Sequence, residues 1–247
     1  MKRLLIITFI CLAVLRISIK AQVKKESSHP GIVKGISAPK ILDNYIKAIG
    51  GRENILKVKD RTTVMKGTAE GRAIKITIYQ KMPNKMREII NTGMFIQSIY
   101  FNGKKGVMEV GGKTFDVKGI QLENLKYESS LHLLPDIDSM GIKLKYAGVD
   151  TVNGKQAYKV FMIFPSGVEW TQFYDPETWL KVKESKTVKT AQGTYTQDTY
   201  LSNYQDINGI KYPFSVKQTL GRQKMSFRVT MISVNDNLND KLFEINY

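Results

Sequence analysis

Few side chains in this chain of 247 residues are of the types that do chemistry. There are two histidines, His29 and His132, and one cysteine, Cys11. His29 lies in a polar stretch that reads as a flexible lead-in, and His132 in a segment that reads as a lid. Neither has a His, Asp or Glu cluster around it at metal-ligand spacing. His132 reads as a surface or hydrogen-bonded histidine rather than a base. Asp136 and Asp138 are close in sequence, but Pro135 marks a loop there, where Asp is expected for its turn-forming side chain. No Gly-x-Ser-x-Gly, phosphate-cradling loop or His-Glu-x-x-His occurs. The sequence therefore assigns no catalytic residue, no metal ligand and no cofactor. A hydrolase would need two acidic or histidine side chains brought together in a polar cleft.

What the chain offers instead is apolar side chains at regular spacing, the chemistry of holding a lipid tail. The candidate lining is Leu42, Tyr45, Ile46 and Ile49 from a helix, and Ile74, Ile76, Ile78, Phe95, Ile99, Phe101, Leu144, Tyr146, Trp170, Phe227 and Val229 from strands. Aromatic and methionine side chains adapt to irregular chains. The same residues also serve simply to fill a dry core against the helix. A hollow is then a property of the whole curved sheet rather than of one residue.

These side chains are positioned by one helix and a long series of strands. Residues 37–51 read as an amphipathic helix: Ser37 is an N-cap residue, Pro39 suits the first turn, and Gly50-Gly51 ends it. Ile41, Leu42, Tyr45, Ile46 and Ile49 form its apolar stripe. Strands are expected at 62–70, 74–79, 85–91, 95–101, 105–110, 113–117, 142–148, 157–164, 168–174, 179–189, 194–204, 210–220 and 224–234. Alternation such as Ile74, Ile76, Ile78 and hairpin signals such as Asn102-Gly103 support them. Tyr158, Val160 and Met162 compete with Phe161 and Ile163 for the inside. Residues 119–141 break the pattern, with one helix through Leu122, Leu125, Ser129 and Leu133 stopped by Pro135, and the tail forms a helical turn through Leu242 and Phe243. The expected fold is mainly β with α. It is a strongly curved antiparallel sheet, an incomplete barrel of about eleven strands, with the N-terminal helix in its concave face and a second helix covering it.

Residues 1–21 read as a cleaved signal peptide, with Lys2-Arg3 before an apolar run and Ala21 before Gln22. Cys11 leaves with it. Residues 22–36 read as the lead-in and 37–247 as a single domain without a thiol, so without disulfides. Removing Lys2, Arg3, Arg16 and Lys20 lowers the formal charge from +16 to +12. In an exported, periplasmic protein that basicity points to transient contact with an anionic membrane surface rather than to nucleic acid, or simply to a solvated lysine-rich face.

The segments 41–51 (ILDNYIKAIGG), 79–87 (YQKMPNKMR), 152–160 (VNGKQAYKV), 173–178 (FYDPET) and 204–214 (YQDINGIKYPF) span nearly all of the mature chain. In order and spacing they resemble the bacterial lipoprotein-sorting, LolA/LolB-like periplasmic proteins, in a divergent branch. The resemblance implies a curved, incomplete antiparallel barrel with helices over its open side, and a carrier that holds an acyl chain in the hollow. Its implied partner is a lipid or acylated lipoprotein, bound by a monomer. Arg61, Arg72 and Arg87 are the candidates for the family's functional arginine, but no functional residue is carried over to this chain. The alternative is a non-catalytic cell-envelope scaffold with a filled core and a protein partner.

Overall fold

The computed structural model describes residue 33 and residues 35–245, apart from 70, 191 and 192. Residues 1–21, read above as a signal peptide, Cys11, His29 and most of the expected lead-in lie outside the described residues.

The first helix, α1 (Ala38–Ala48), forms where its stripe and caps place it. Ser37 accepts from the Lys40 N–H at 3.4 Å, and Gly51 N–H donates to Ile46 O at 2.8 Å in the turn that closes the helix. Gly50 (φ +122°) approaches the Asn208-Gly209 turn so closely that a Cβ there would sit 2.0 Å from Gly209 O. A short α2 (Arg52–Leu56) follows, and the rest is almost entirely strand.

Thirteen strands make one antiparallel sheet: β1 (Asp60–Ala69), β2 (Arg72–Lys81), β3 (Lys85–Asn91), β4 (Ile96–Phe101), β5 (Gly106–Val110), β6 (Lys113–Val117), β7 (Lys143–Val152), β8 (Lys155–Ile163), β9 (Glu169–Tyr174), β10 (Lys181–Thr190), β11 (Gly193–Ile207), β12 (Ile210–Leu220) and β13 (Gln223–Val234). Their order is β6-β5-β4-β3-β2-β1-β13-β12-β11-β10-β9-β8-β7. Two meanders are thus joined by one long-range pairing, β1 with β13, and the edges β6 and β7 do not meet. The barrel is incomplete, as expected, with thirteen strands where about eleven were anticipated. Each expected run becomes one strand, even the five-residue β5 and β6. Register shifts at Val64/Met65, Tyr146/Val149 and Lys181/Lys183 bend the strands.

Two local readings change. Asn102-Gly103 is not a two-residue type I′ turn. The loop has four residues, and Asn102 Oδ1 accepts from the N–H groups of Lys104 (3.0 Å) and Lys105 (2.9 Å). The second long helix, α3 (Gly119–Glu128), stops well before Pro135. Ser129 turns its hydroxyl onto Lys126 O at 2.8 Å, competing with the helical bond, and the chain continues in turns. His132 is buried there and satisfied by Val58 O at 2.9 Å.

α3 joins the two edge strands and crosses the concave face. Leu125 packs with Met86 and Phe101 on one side. On the other, Asn124 donates to Thr187 O at 2.9 Å, and Glu128 pairs with Lys186 of β10. The tail returns to β3 through a short 3-10 turn (Asp240–Phe243), with Lys85 on Asp240 at 3.0 Å and Phe243 buried.

Candidate functional site: the interior of the curved sheet

The register decides what faces inward. Tyr158, Val160 and Met162 pair with Tyr174, Gln172 and Trp170 across β8 and β9, and all six are buried. This settles the competition on β8 against Phe161 and Ile163. α1 packs on this half of the sheet. Ile41, Leu42, Tyr45, Ile46 and Ile49 join Tyr158, Val160, Met162, Trp170, Tyr174, Ile210 and Tyr212 in one core. Fully burying a side chain of this size contributes about 1.5–3 kcal/mol. Leu42, Tyr45, Ile46, Ile49 and Trp170 therefore lie in packed interior, and Leu144 and Tyr146 are half-buried at its β7 margin.

Length limits how far that core reaches. The 11 residues of α1 span about 16 Å, whereas a ten-residue strand spans about 33 Å. The remaining interior is a second apolar cluster: Ile74, Ile76, Val216, Phe227 and Val229, with Met65, Ile78 and Ile90 at its margin. Every member comes from a strand, so no helix side chain packs in it. Gly67 leaves room there for the Phe227 ring, whose Cδ1 would lie 2.8 Å from a Cβ at that position. Ile99 and Phe101 fall in a third cluster under α3, with Ile78 shared between the second and third. Phe95 lies in the β3–β4 turn, half-buried and outside these clusters. At the β6 edge, Phe115, on the same face as Ile99 and Met108, is 47% exposed.

Between these apolar regions runs a band of polar side chains that periodicity did not reveal. Glu184 pairs across strands with Gln172, and Lys186 with Trp170, so both face inward. Lys181 and Glu184 form an ion pair at 2.6 Å, and Gln172 Nε2 donates to Glu184 at 3.1 Å. Gln80 accepts from Arg61 Nε at 3.1 Å and donates to Glu128 O at 2.8 Å. Burial works to raise the Glu184 carboxyl, but Lys181 and Lys186 hold it below the usual range. Burial likewise works to lower Lys186, and Glu128 and Glu184 raise it. Glu88 faces the same space between Ile78 and Ile99. Burial, reinforced by the like charge of Glu128 and opposed by Lys186, pushes it up to about 7. The sequence marks Glu88, which interrupts the apolar alternation of Met86 and Ile90, but not the inward charges of β10, whose alternating sets of positions are both charged.

Two carboxylates, Glu88 and Glu128, thus come within electrostatic reach of each other, but Glu128 is engaged by Lys186. Among the described residues no group of three or more His, Cys, Asp or Glu side chains could hold a metal ion, and no helix is long and apolar enough to cross a membrane.

No family model and no curated protein matches the sequence. Solved structures do match the fold. A DUF1329 family protein from Desulfovibrio piger superposes with a TM-score of 0.55 at 11% identity, over 84% of this chain and 97% of its own. A LolA superfamily protein from Nitrosomonas europaea gives 0.54 at 10% identity, over 85% and 99%. A putative outer membrane lipoprotein-sorting protein domain from Vibrio parahaemolyticus gives 0.51 at 9%, over 83% and 94%. The chain has a LolA-like fold, as the resemblance implied, at the low identity of a divergent branch.

Proposed function

We propose that this chain is a non-catalytic carrier that holds the apolar part of a lipid or acylated lipoprotein inside its curved sheet. The observation that carries this is the apolar cluster around Ile76, Val216, Phe227 and Val229, to which strands alone contribute and which meets the α1 core only through Phe214 and Ile232. Burying a CH₂ group there contributes about 0.8 kcal/mol, so micromolar binding, about 8 kcal/mol, takes a tail of roughly ten carbons or more. The packed α1 half serves as the rigid wall. The two LolA-type neighbours share this architecture, which supports the reading at the level of fold. The same reading places the mature protein in the cell envelope as a monomer, exported by residues 1–21, and includes transient contact with an anionic membrane surface during loading or delivery.

Native mass spectrometry and organic extraction of the purified full chain test this. Co-purified lipid, or saturable uptake of cis-parinaric acid, is the expected result. A protein that takes up no lipid, yet crosslinks to a protein partner in cells, would replace this reading with the scaffold.

A further inference from the structure

The outer face of the sheet's central strands carries a patch that neither the apolar interior nor the fold requires. In register, Arg228 of β13 lies directly opposite Lys66 of β1, and Lys66 directly opposite Lys75 of β2. Lys217 and Lys224 flank them on β12 and β13, sharing the face by alternation. All five are exposed, and among the described residues none makes an ion pair. The outward positions between them are Ser215, Thr219, Ser226, Thr68 and Ala73, with no acid. Like charges directly opposite in a sheet are destabilising. Lysines that guard a sheet against edge pairing belong on edge strands, whereas β1 and β13 are the middle of this one. On β8 and β10 the outer face instead pairs two cations with acids: Lys183 with Asp198 at 2.9 Å and Lys159 with Asp150 at 3.1 Å.

We propose that the outer face of β12–β13–β1–β2, centred on Arg228, Lys66 and Lys75, is a docking surface for an anionic lipid bilayer. Charge complementarity selects the partner, and the repulsion among the three cations is relieved when lipid phosphates lie against them. The surface is the reverse of the strands whose inner side chains form the Phe227 cluster. Docking here therefore leaves the interior free. This inference gives a location to the membrane contact in the carrier reading and rests on that reading only for the identity of the cargo.

The test is co-sedimentation of the full chain with phosphatidylglycerol-containing and pure phosphatidylcholine vesicles. Binding to the anionic vesicles only, weakened by salt, is expected. The triple variant K66Q/K75Q/R228Q should lose on the order of 100-fold in partitioning, since each cation near such a surface contributes roughly five-fold. A control that removes equal charge at Lys47, Lys104 and Lys155 should lose far less. Equal losses in both triple variants, or no anionic preference, would overturn the proposal, as would tighter binding to duplex DNA than to the vesicles. Uptake of cis-parinaric acid without vesicles reads the interior alone, so failure of the carrier reading and failure of the docking surface are separable.

Discussion

Trp170 Nε1 donates to Asn124 Oδ1 at 2.8 Å, and the same amide donates to Thr187 O at 2.9 Å. One buried side chain of α3 thereby fastens β9 and β10 to the helix that straps the concave face. Asn124→Ala strands an indole N–H and a backbone carbonyl, at a cost of about 2–4 kcal/mol. Urea denaturation should show that loss. Tryptophan emission should also shift to the red before the main transition, as α3 releases ahead of the sheet. A coincident single transition would mean that the strap has no independent stability.

Glu88→Gln separates burial from charge. The folded carboxyl is raised from its ordinary value of 4.5 to about 7, so the protonated form is the one the fold favours. Its contribution is complete below pH 4.5 and lost as pH rises through 7. With allowance for partial solvent screening, the loss is about 1–3 kcal/mol. The variant's stability relative to the parent should therefore rise from pH 5 to pH 8. A difference independent of pH would show that Glu88 is not held protonated.

Gly50→Ala addresses the docking of α1. The added Cβ meets Gly209 O in a backbone conformation that L residues rarely adopt, beside the Lys211 N–H to Ile49 O bond of 2.8 Å. A loss of at least about 2 kcal/mol is expected. Gly148→Ala, at a φ of +90° with open space around it, should cost less. Equal costs would remove the close approach as the cause.

Ile76→Trp fills the strand-only cluster. Affinity for cis-parinaric acid should fall at least about tenfold, with overpacking costing about 1–3 kcal/mol of stability. Ile41→Val, in the α1 core, should cost about 0.5–1.5 kcal/mol and leave that affinity unchanged. If Ile41→Val weakens uptake and Ile76→Trp does not, the ligand lies under α1 instead.

The first helix, the strand runs (though counted as about eleven) and most turns were legible in the chain because their causes are local. The Ser37 cap, the Ile41–Ile49 stripe and Asn-Gly pairs such as Asn153-Gly154 and Asn208-Gly209, which do adopt positive φ, act within a few residues. The candidate lining was legible only as apolar faces. Alternation gives two faces without saying which is inside, as Tyr158 against Phe161 illustrates, and it gives no signal on β10, where inward and outward positions are both charged.

By itself, then, the sequence determined the element types, their antiparallel sense and a sheet that must curve around one helix. Tertiary structure decided the rest. The pairing of β1 with β13 joins residues about 170 apart, and no local pattern specifies it. That pairing sets the Arg228–Lys66–Lys75 row on the outside and the Phe227 cluster behind it. The division of the interior is also tertiary. Whether an apolar side chain fills a core or lines an opening depends on what lies across from it, and α1 is too short to lie across from the whole sheet.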